Sequence, residues 1–277
     1  MTEPLESTPG MIDSQKSSGV RWRSVAVPKE HGGWGFLLDP ILLGLLVAPS
    51  PAGLFLVLLD LAAFLARTPL KIFWKDTQRG RRYARTAAAL KALFVYAVLA
   101  VFSLVAALIL GGPLPLAPLF LVLPLAAAVL YFDLLSTSRK LLPELIAPVS
   151  LSAVLASMAL ADGWAWPATL ALWAIPLMRS LPAVVYVRAR LRLDRGKEAG
   201  VGTAVLLHVL ALALSVALAW AGLLPWPAAA AMAILLGRAA YGLSPYRRQM
   251  SVKALGWSEV IFGLLTVSLA AVGYWLM

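Results

Sequence analysis

Charged side chains inside or beside long apolar segments are the residues of this chain whose types and positions could do chemistry. They are Asp39, Asp60, Glu144, Arg179 and Glu259. A charge inside a membrane is costly, so such residues usually pair with one another or mark the path of an ion or a substrate. We therefore expect Arg179, the base of this set, to pair with a carboxylate. Asp39, Glu144 and Glu259 are the three candidates.

A short polar segment before the first apolar run is a second candidate site. Residues 28–35 read Pro-Lys-Glu-His-Gly-Gly-Trp-Gly. We interpret Glu30 and His31 as a proton-handling or ligand-binding pair. The alternative is a turn that leads the chain into the membrane, anchored by Trp34 at the interface. The other histidine, His208, lies within an apolar run and is interpreted as a packing residue.

Basic residues follow the second apolar run at a regular spacing. Arg67, Lys71 and Lys75 recur every four residues, so they share one face of a helix. Like charges stacked in this way repel unless an anion or a carboxylate lies between them. This face, together with Asp76, predicts a binding site for phosphate or another anion. The alternative is a set of side chains that reach from a helix end towards the headgroups.

A third group of candidates follows the sixth apolar run. Tyr186 and Arg190 are four residues apart, which predicts that they share one helix face. Glu144 and Glu259 each fall at the start of an apolar run, where the helix dipole favours a carboxylate. In the functional interpretation, these two carboxylates are counter-ions of Arg179 or of the basic helix face.

The composition indicates which elements must position these residues. The chain has 277 residues, of which 61% are hydrophobic and 13% are charged, whereas a soluble domain is about 25% charged. This excludes a soluble enzyme, a disordered protein and a nucleic-acid partner, although the net charge is +11. What remains is an all-α, polytopic membrane protein. Cysteine is absent, which excludes disulfides and thiolate metal sites.

Alternation of basic and uncharged connections predicts the topology. Apart from Arg179, every Lys and Arg is assigned to the N-terminal tail or to every second connection, with Arg238 in the last of these connections. Since basic loops stay in the cytoplasm, this predicts a multi-pass protein of the cell membrane, with the N-terminus inside and the C-terminus outside. Residues 1–27 are predicted to be a disordered cytosolic tail and residues 28–277 a single domain in contact with membrane lipids. The nine predicted spans are about 34–50, 53–67, 88–110, 115–132, 143–161, 166–187, 202–222, 226–242 and 257–276.

Three segments resemble the YwiC-like family of bacterial membrane proteins. They are Pro-Lys-Glu-His-Gly-Gly-Trp at 28–34, Arg-Thr-Pro-Leu-Lys at 67–71 and Arg-Ala-Arg-Leu-Arg-Leu at 188–193. The resemblance runs over most of the chain. It implies a membrane protein and no particular biochemical activity.

The architecture resembles the UbiA superfamily of membrane prenyltransferases. The likeness rests on nine spans with large charged connections after the second and sixth, and the resemblance implies a UbiA-like bundle. In that superfamily, Asp-rich motifs in these connections hold magnesium. If such a motif ended at Asp76, its two earlier positions would be Thr68 and Ile72, which carry no carboxylate. In the connection after the sixth span, Asp194 stands alone among basic residues. Magnesium normally needs several carboxylate oxygens, so it is disfavoured and no cofactor is predicted. Guanidinium groups are expected to bind the anion directly.

Three functions stay open at this point, and the sequence does not decide whether the protein is an enzyme. The first is binding or modification of an anionic isoprenoid or lipid in a cytosol-facing cavity lined by Arg67, Lys71, Glu144 and Arg179. The second is a membrane transporter that relays protons through carboxylates of the interior. The third is an accessory subunit of a respiratory complex.

Overall fold

The computed structural model of the chain describes residues 22–28, 31–80 and 83–277, and this part is almost entirely helical, with no β-strand. The prediction of an all-α protein is therefore confirmed. In chain order the helices are α1 Trp22–Ala26, α2 His31–Val47, α3 Pro51–Gln78, α4 Ala84–Gly111, α5 Ala117–Leu134, α6 Leu141–Ala161, α7 Trp166–Leu193, α8 Val201–Trp220, α9 Trp226–Leu243 and α10 Val252–Trp275.

Each of the nine predicted apolar runs lies largely within one of the helices α2 to α10. Within the described ranges, seven helices are long and apolar enough to cross a membrane: α3, α4, α5 with the 3-10 turn before it, α6, α7, α8 and α10. Helix α2 contains a shorter apolar stretch, Gly33–Val47, and α9 is not among the seven. Several long apolar helices support a membrane-embedded protein. The exact count of nine spans and their orientation stay predictions.

Local sequence signals explain where several helices begin. The Ser50 hydroxyl accepts a hydrogen bond from the Gly53 amide at 3.1 Å, and Pro51 occupies the first position of α3. Ser251 caps α10 in the same way, by accepting from the Ala254 amide at 3.1 Å. Both α3 and α7 continue beyond their apolar runs. Their basic residues therefore lie on helices, as the four-residue spacing of Arg67, Lys71 and Lys75 and that of Tyr186 and Arg190 predict.

Helices α6 and α7 form the centre of the bundle. Helix α6 packs against α2, α3, α5 and α7, and α7 packs against α8, α9 and α10. By contrast, α4 exposes a broad apolar surface that includes Phe94, Val101 and Ile109. An exposed apolar face of this size is suited to lipid contact. The buried Asp39–Arg179 pair lies where α2, α7 and α10 meet.

Contacts between helix ends bring the basic residues together at one end of the bundle. Lys75 near the end of α3 donates to Ser136 after α5 at 2.5 Å. Arg190 near the end of α7 donates to the carbonyl of Gly242 near the end of α9. At the opposite end, the Trp275 indole donates to the Leu46 carbonyl at 2.9 Å. Throughout this article, "the basic end" is the end that contains Lys75 and Arg190.

Candidate functional site

A buried ion pair between α2 and α7 forms the centre of the candidate site. The Arg179 Nη1 atom lies 3.0 Å from Asp39 Oδ2. Arg179 is 5% exposed and Asp39 is 8% exposed. The second terminal nitrogen, Nη2, donates to the Glu259 backbone carbonyl at 2.6 Å. The predicted pairing of Arg179 with a carboxylate is therefore confirmed for Asp39, and α10 contributes a carbonyl to the same guanidinium.

Glu144, another predicted partner of Arg179, pairs elsewhere. Its Oε2 accepts from Arg188 Nη1 at 2.6 Å, and both side chains are partly exposed. Arg188 also donates to the Arg139 carbonyl at 3.1 Å. Since Glu144 begins α6 and Arg188 lies near the end of α7, this pair joins the two central helices at the basic end. The prediction that Glu144 is a counter-ion of Arg179 is wrong.

Gly263 on α10 makes room for the central ion pair. A Cβ atom at this position would lie 2.5 Å from Asp39 Oδ2 and 2.7 Å from Arg179 Nη2. Real Cβ atoms do not approach other atoms so closely. Glycine therefore lets α10 pack directly on the charged groups.

Arg238 is a second buried base that the sequence places wrongly. It was expected in the connection after the eighth run, but it lies within α9 and its side chain is 7% exposed. Arg238 forms an ion pair with Glu259. Its guanidinium carbon also lies 4.2 Å from the ring centre of Tyr186 and 5.0 Å from that of Phe262. The carboxylate and the two rings offset the loss of water around this charge, so α9 can continue through it.

His208 and Tyr186 complete the surroundings of Arg238. The His208 Nδ1–H group donates to the Ala204 carbonyl at 2.7 Å, so the Nε2 atom faces Arg238 Nη2 at 3.4 Å. The imidazole also meets the Tyr186 ring edge to face, with centres 6.2 Å apart. His208 is thus a buried packing residue, as the sequence predicts, and it also borders the charged cluster.

Arg190 holds the basic end together. Its guanidinium donates to the carbonyls of Gly242 and Arg248 and to Asp194, whose Oδ2 lies 3.1 Å from Nε. Tyr186, one turn earlier, packs on the same Gly242: a Cβ there would lie 2.9 Å from the phenol ring. The predicted shared face of Tyr186 and Arg190 is therefore present. These contacts give Arg190 a structural role, since its donors are directed at protein acceptors.

The basic face of α3 meets a carboxylate of the protein itself. Arg67 Nε donates to Asp133 Oδ2 at 2.8 Å, and Lys71 lies on the same face, partly exposed. Asp76 points elsewhere: it is fully buried and accepts from Arg85 and from Thr86 at the start of α4. Asp133 thus occupies the place that the sequence analysis assigned to an anion or a carboxylate.

The remaining predicted site residues cannot be placed in this cluster. Glu30 lies outside the described residues, and His31 is described only as the first residue of α2. In the described part of the chain, no three His, Asp or Glu side chains form a group that could hold a metal ion.

The interior beside the central pair is closely packed. A cavity of about 10 Å³, lined by Asp39, Arg179 and prolines of three helices, is the space beside the pair. That volume has room for about one water molecule. A groove of about 360 Å³ lies at the opposite end of the bundle, around Pro225 and Met277. The predicted wide cavity receives no support, because Arg67, Glu144 and Arg179 belong to three separate ion pairs.

Comparisons with known proteins bear on the N-terminal half of the chain. The family model described as YwiC-like protein matches residues 27–159, which contain α2 to α5 and most of α6. The segment 188–193, which carries part of the predicted resemblance, lies outside this range. The comparisons with curated proteins and with solved structures gave no match, so the resemblance to the UbiA superfamily is not confirmed. Residues 27–159 are therefore similar to the YwiC-like family, and the described chain contains several helices that are long and apolar enough to cross a membrane.

Proposed function

We propose that this protein binds the anionic head of an amphipathic lipid or isoprenoid through guanidinium groups, without a divalent metal. One observation carries the proposal. The Nε–H groups of Arg179 and Arg238 are buried and have no hydrogen-bond acceptor among the described residues. A buried donor without an acceptor is unfavourable by about 1–3 kcal/mol, so it needs an explanation. A phosphate or carboxylate oxygen is an acceptor of the right charge.

The central ion pair is arranged so that a ligand can replace one partner. Asp39 Oδ2 lies 3.0 Å from Arg179 Nη1, yet within the described part of the chain it accepts no hydrogen bond of good geometry. A phosphate can instead accept two parallel bonds from the planar guanidinium. In this proposal Asp39 occupies the place of the ligand's head while the site is empty. The anion displaces Asp39 and takes up the free Nε donor.

Prolines mark the layer that has to open for the ligand to enter. Pro40 of α2, Pro148 of α6 and Pro176 of α7 all line the 10 Å³ cavity beside Arg179. Each proline removes one backbone hydrogen bond from its helix and favours a bend there. Helices that bend at this level can separate without breaking their ends. At the basic end, the exposed Lys140 and Lys253 attract an anionic headgroup.

The lipids that copurify with the protein test this function. We expect mass spectrometry to find lipids with a phosphate or carboxylate head enriched over the membrane extract from which the protein was purified. Arg179→Lys should reduce the enrichment, because lysine keeps the charge and loses the planar pair of donors. Arg195→Ala, at an exposed position, is the matched control and should leave the enrichment unchanged. A lipid profile identical to that of the extract would argue against the proposal.

Transport of the anion is a second candidate function, and the layer of three prolines favours it. Each proline favours a bend in its continuous helix, and helices that bend around a site within the bilayer allow that site to open towards one side at a time. His208, Arg238 and Glu259 form a chain of polar contacts next to that layer. Uptake of a labelled anion into proteoliposomes distinguishes transport from binding alone.

A further inference from the structure

Asp60 of α3 takes part in none of the ion pairs of the described chain. Asp60 on α3 is 9% exposed, and in the described ranges its Oδ2 atom has no hydrogen-bond partner. Asp60 lies on the helical stripe that also carries Leu56, Val57 and Phe64. These three side chains belong to a buried apolar cluster formed with α2, α4 and α6. Asp60 is therefore directed into the bundle and away from lipid.

The packing of α3 on α4 places Ser103 opposite Asp60. At one end of this antiparallel pair, a Cβ on Gly111 would lie 2.9 Å from the Ala52 Cβ. Asp60 lies eight residues after Ala52, and Ser103 lies eight residues before Gly111. Because the two helices are antiparallel, Asp60 and Ser103 lie at the same height along the pair. At the other end, the hydrogen bond from Thr86 to Asp76 gives the same register to within one residue.

Ser103 is the second unsatisfied polar group at this level. It is 0% exposed, and its hydroxyl has no partner in the part of the chain that the structure describes. Leu104 and Ala107, which follow it on α4, belong to the same apolar cluster as Leu56 and Val57. The Asp60 carboxyl and the Ser103 hydroxyl thus lie at the same height along the α3–α4 pair, beside buried apolar side chains.

The charged groups on the helices around α3 either form ion pairs with other residues or lie nearer the basic end than Asp60 does. Tyr96 on α4 lies two turns closer to the basic end than Ser103 and donates to the Ala26 carbonyl of α1 at 2.8 Å. Lys91 lies still closer to the basic end. The ion pairs are Asp39 of α2 with Arg179, Arg85 of α4 with Asp76, Asp133 of α5 with Arg67, and Glu144 of α6 with Arg188.

We propose that Asp60 is a proton-binding site of the membrane interior, separate from the anion site at Arg179. An isolated carboxylate among apolar side chains is strongly disfavoured, and a bound proton removes the charge. The protonated carboxyl then has a donor, and the Ser103 hydroxyl is an acceptor at the same level. When water reaches this level, the proton leaves and Asp60 becomes charged. The α3–α4 pair thereby responds to the proton concentration.

Reaction with an apolar carbodiimide tests this proposal on the full-length protein in detergent. Dicyclohexylcarbodiimide modifies protonated carboxyl groups in apolar surroundings, and mass spectrometry of peptides locates the adduct. We expect an adduct on Asp60 that forms about tenfold more slowly for each pH unit once the carboxyl ionises. Asp39, which is paired with Arg179, is the internal control and should stay unmodified. Asp60→Asn should remove the adduct.

A second measurement keeps the test independent of reagent access and of the anion site. Infrared spectroscopy should show a band of a protonated carboxyl that is absent from Asp60→Asn. Arg179→Lys should change neither the band nor the adduct, since it alters a different site. An adduct that forms equally at every pH would overturn the proposal. So would the joint absence of the adduct and of the infrared band.

Discussion

Arg179→Ala is expected to lower the free energy of unfolding by about 3–5 kcal/mol, the usual effect of removing one partner of a buried ion pair. The substitution leaves Asp39 charged and buried, and it leaves the Glu259 carbonyl without its donor. The Glu259 carbonyl belongs to α10 itself, and Asp39 lies against the same helix at Gly263. Denaturant or thermal unfolding in detergent, followed by circular dichroism, measures the loss.

Three further variants distinguish the loss of the ion pair from the general effect of shortening an arginine side chain. Arg195→Ala removes an exposed arginine, and its effect should stay within about 0.5 kcal/mol. Arg179→Lys should fall between the wild type and alanine. Asp39→Asn, added to Arg179→Ala, should restore part of the stability, because it removes the unpaired charge. An Arg179→Ala loss no larger than that of Arg195→Ala would contradict the assigned pairing.

Gly263→Ala should destabilise the protein by about 1–3 kcal/mol, the usual range for overpacking. A loss of stability is unusual for this substitution, because alanine in place of glycine inside a helix normally stabilises the helix by about 1 kcal/mol. At Gly263, however, the added methyl group would lie 2.5 Å from Asp39 and 2.7 Å from Arg179. The ion pair must separate or α10 must move outward. The same unfolding measurement applies.

Gly256→Ala is the matched control, since it lies two turns earlier on the same helix. A Cβ at Gly256 would meet no atom of the described chain within 4 Å. We expect Gly256→Ala to be neutral or stabilising. The two substitutions should therefore have opposite signs, although their chemistry and their helix are the same. Equal stabilisation by both would show that α10 does not pack on the Asp39–Arg179 pair.

Charge placement in the sequence was sufficient to predict that Arg179 pairs with a carboxylate, and the structure selects Asp39 from the three candidates. A base within an apolar run needs a counter-ion, and few carboxylates lie in the interior. The nine apolar runs likewise predicted helices α2 to α10. These predictions succeed because each depends on a single local property, either the length of an apolar run or a charge inside it.

Other features depend on contacts that no local pattern reveals. Arg238 was assigned to a connection because it lies near the end of an apolar run. The helix continues because backbone hydrogen bonds are indifferent to the side chain, and Glu259 and Tyr186 surround the charge. Arg67 and Asp133 are 66 residues apart, so their pairing follows only from how α3 and α5 pack. The predicted cavity lined by Arg67, Lys71, Glu144 and Arg179 receives no support for the same reason, since helix packing places three of these side chains in separate ion pairs.

Binding of farnesyl phosphate to the purified protein, measured by isothermal titration calorimetry in detergent with a chelator present, tests the central claim most directly. Farnesol, which has the same chain and no charge, is the matched ligand. We predict that farnesyl phosphate binds without divalent metal and that farnesol does not. Arg179→Lys should weaken binding by about ten- to a hundredfold, as expected for a lost hydrogen bond to a charged group. Equal binding of the two ligands, or loss of phosphate binding on chelation, would contradict the account.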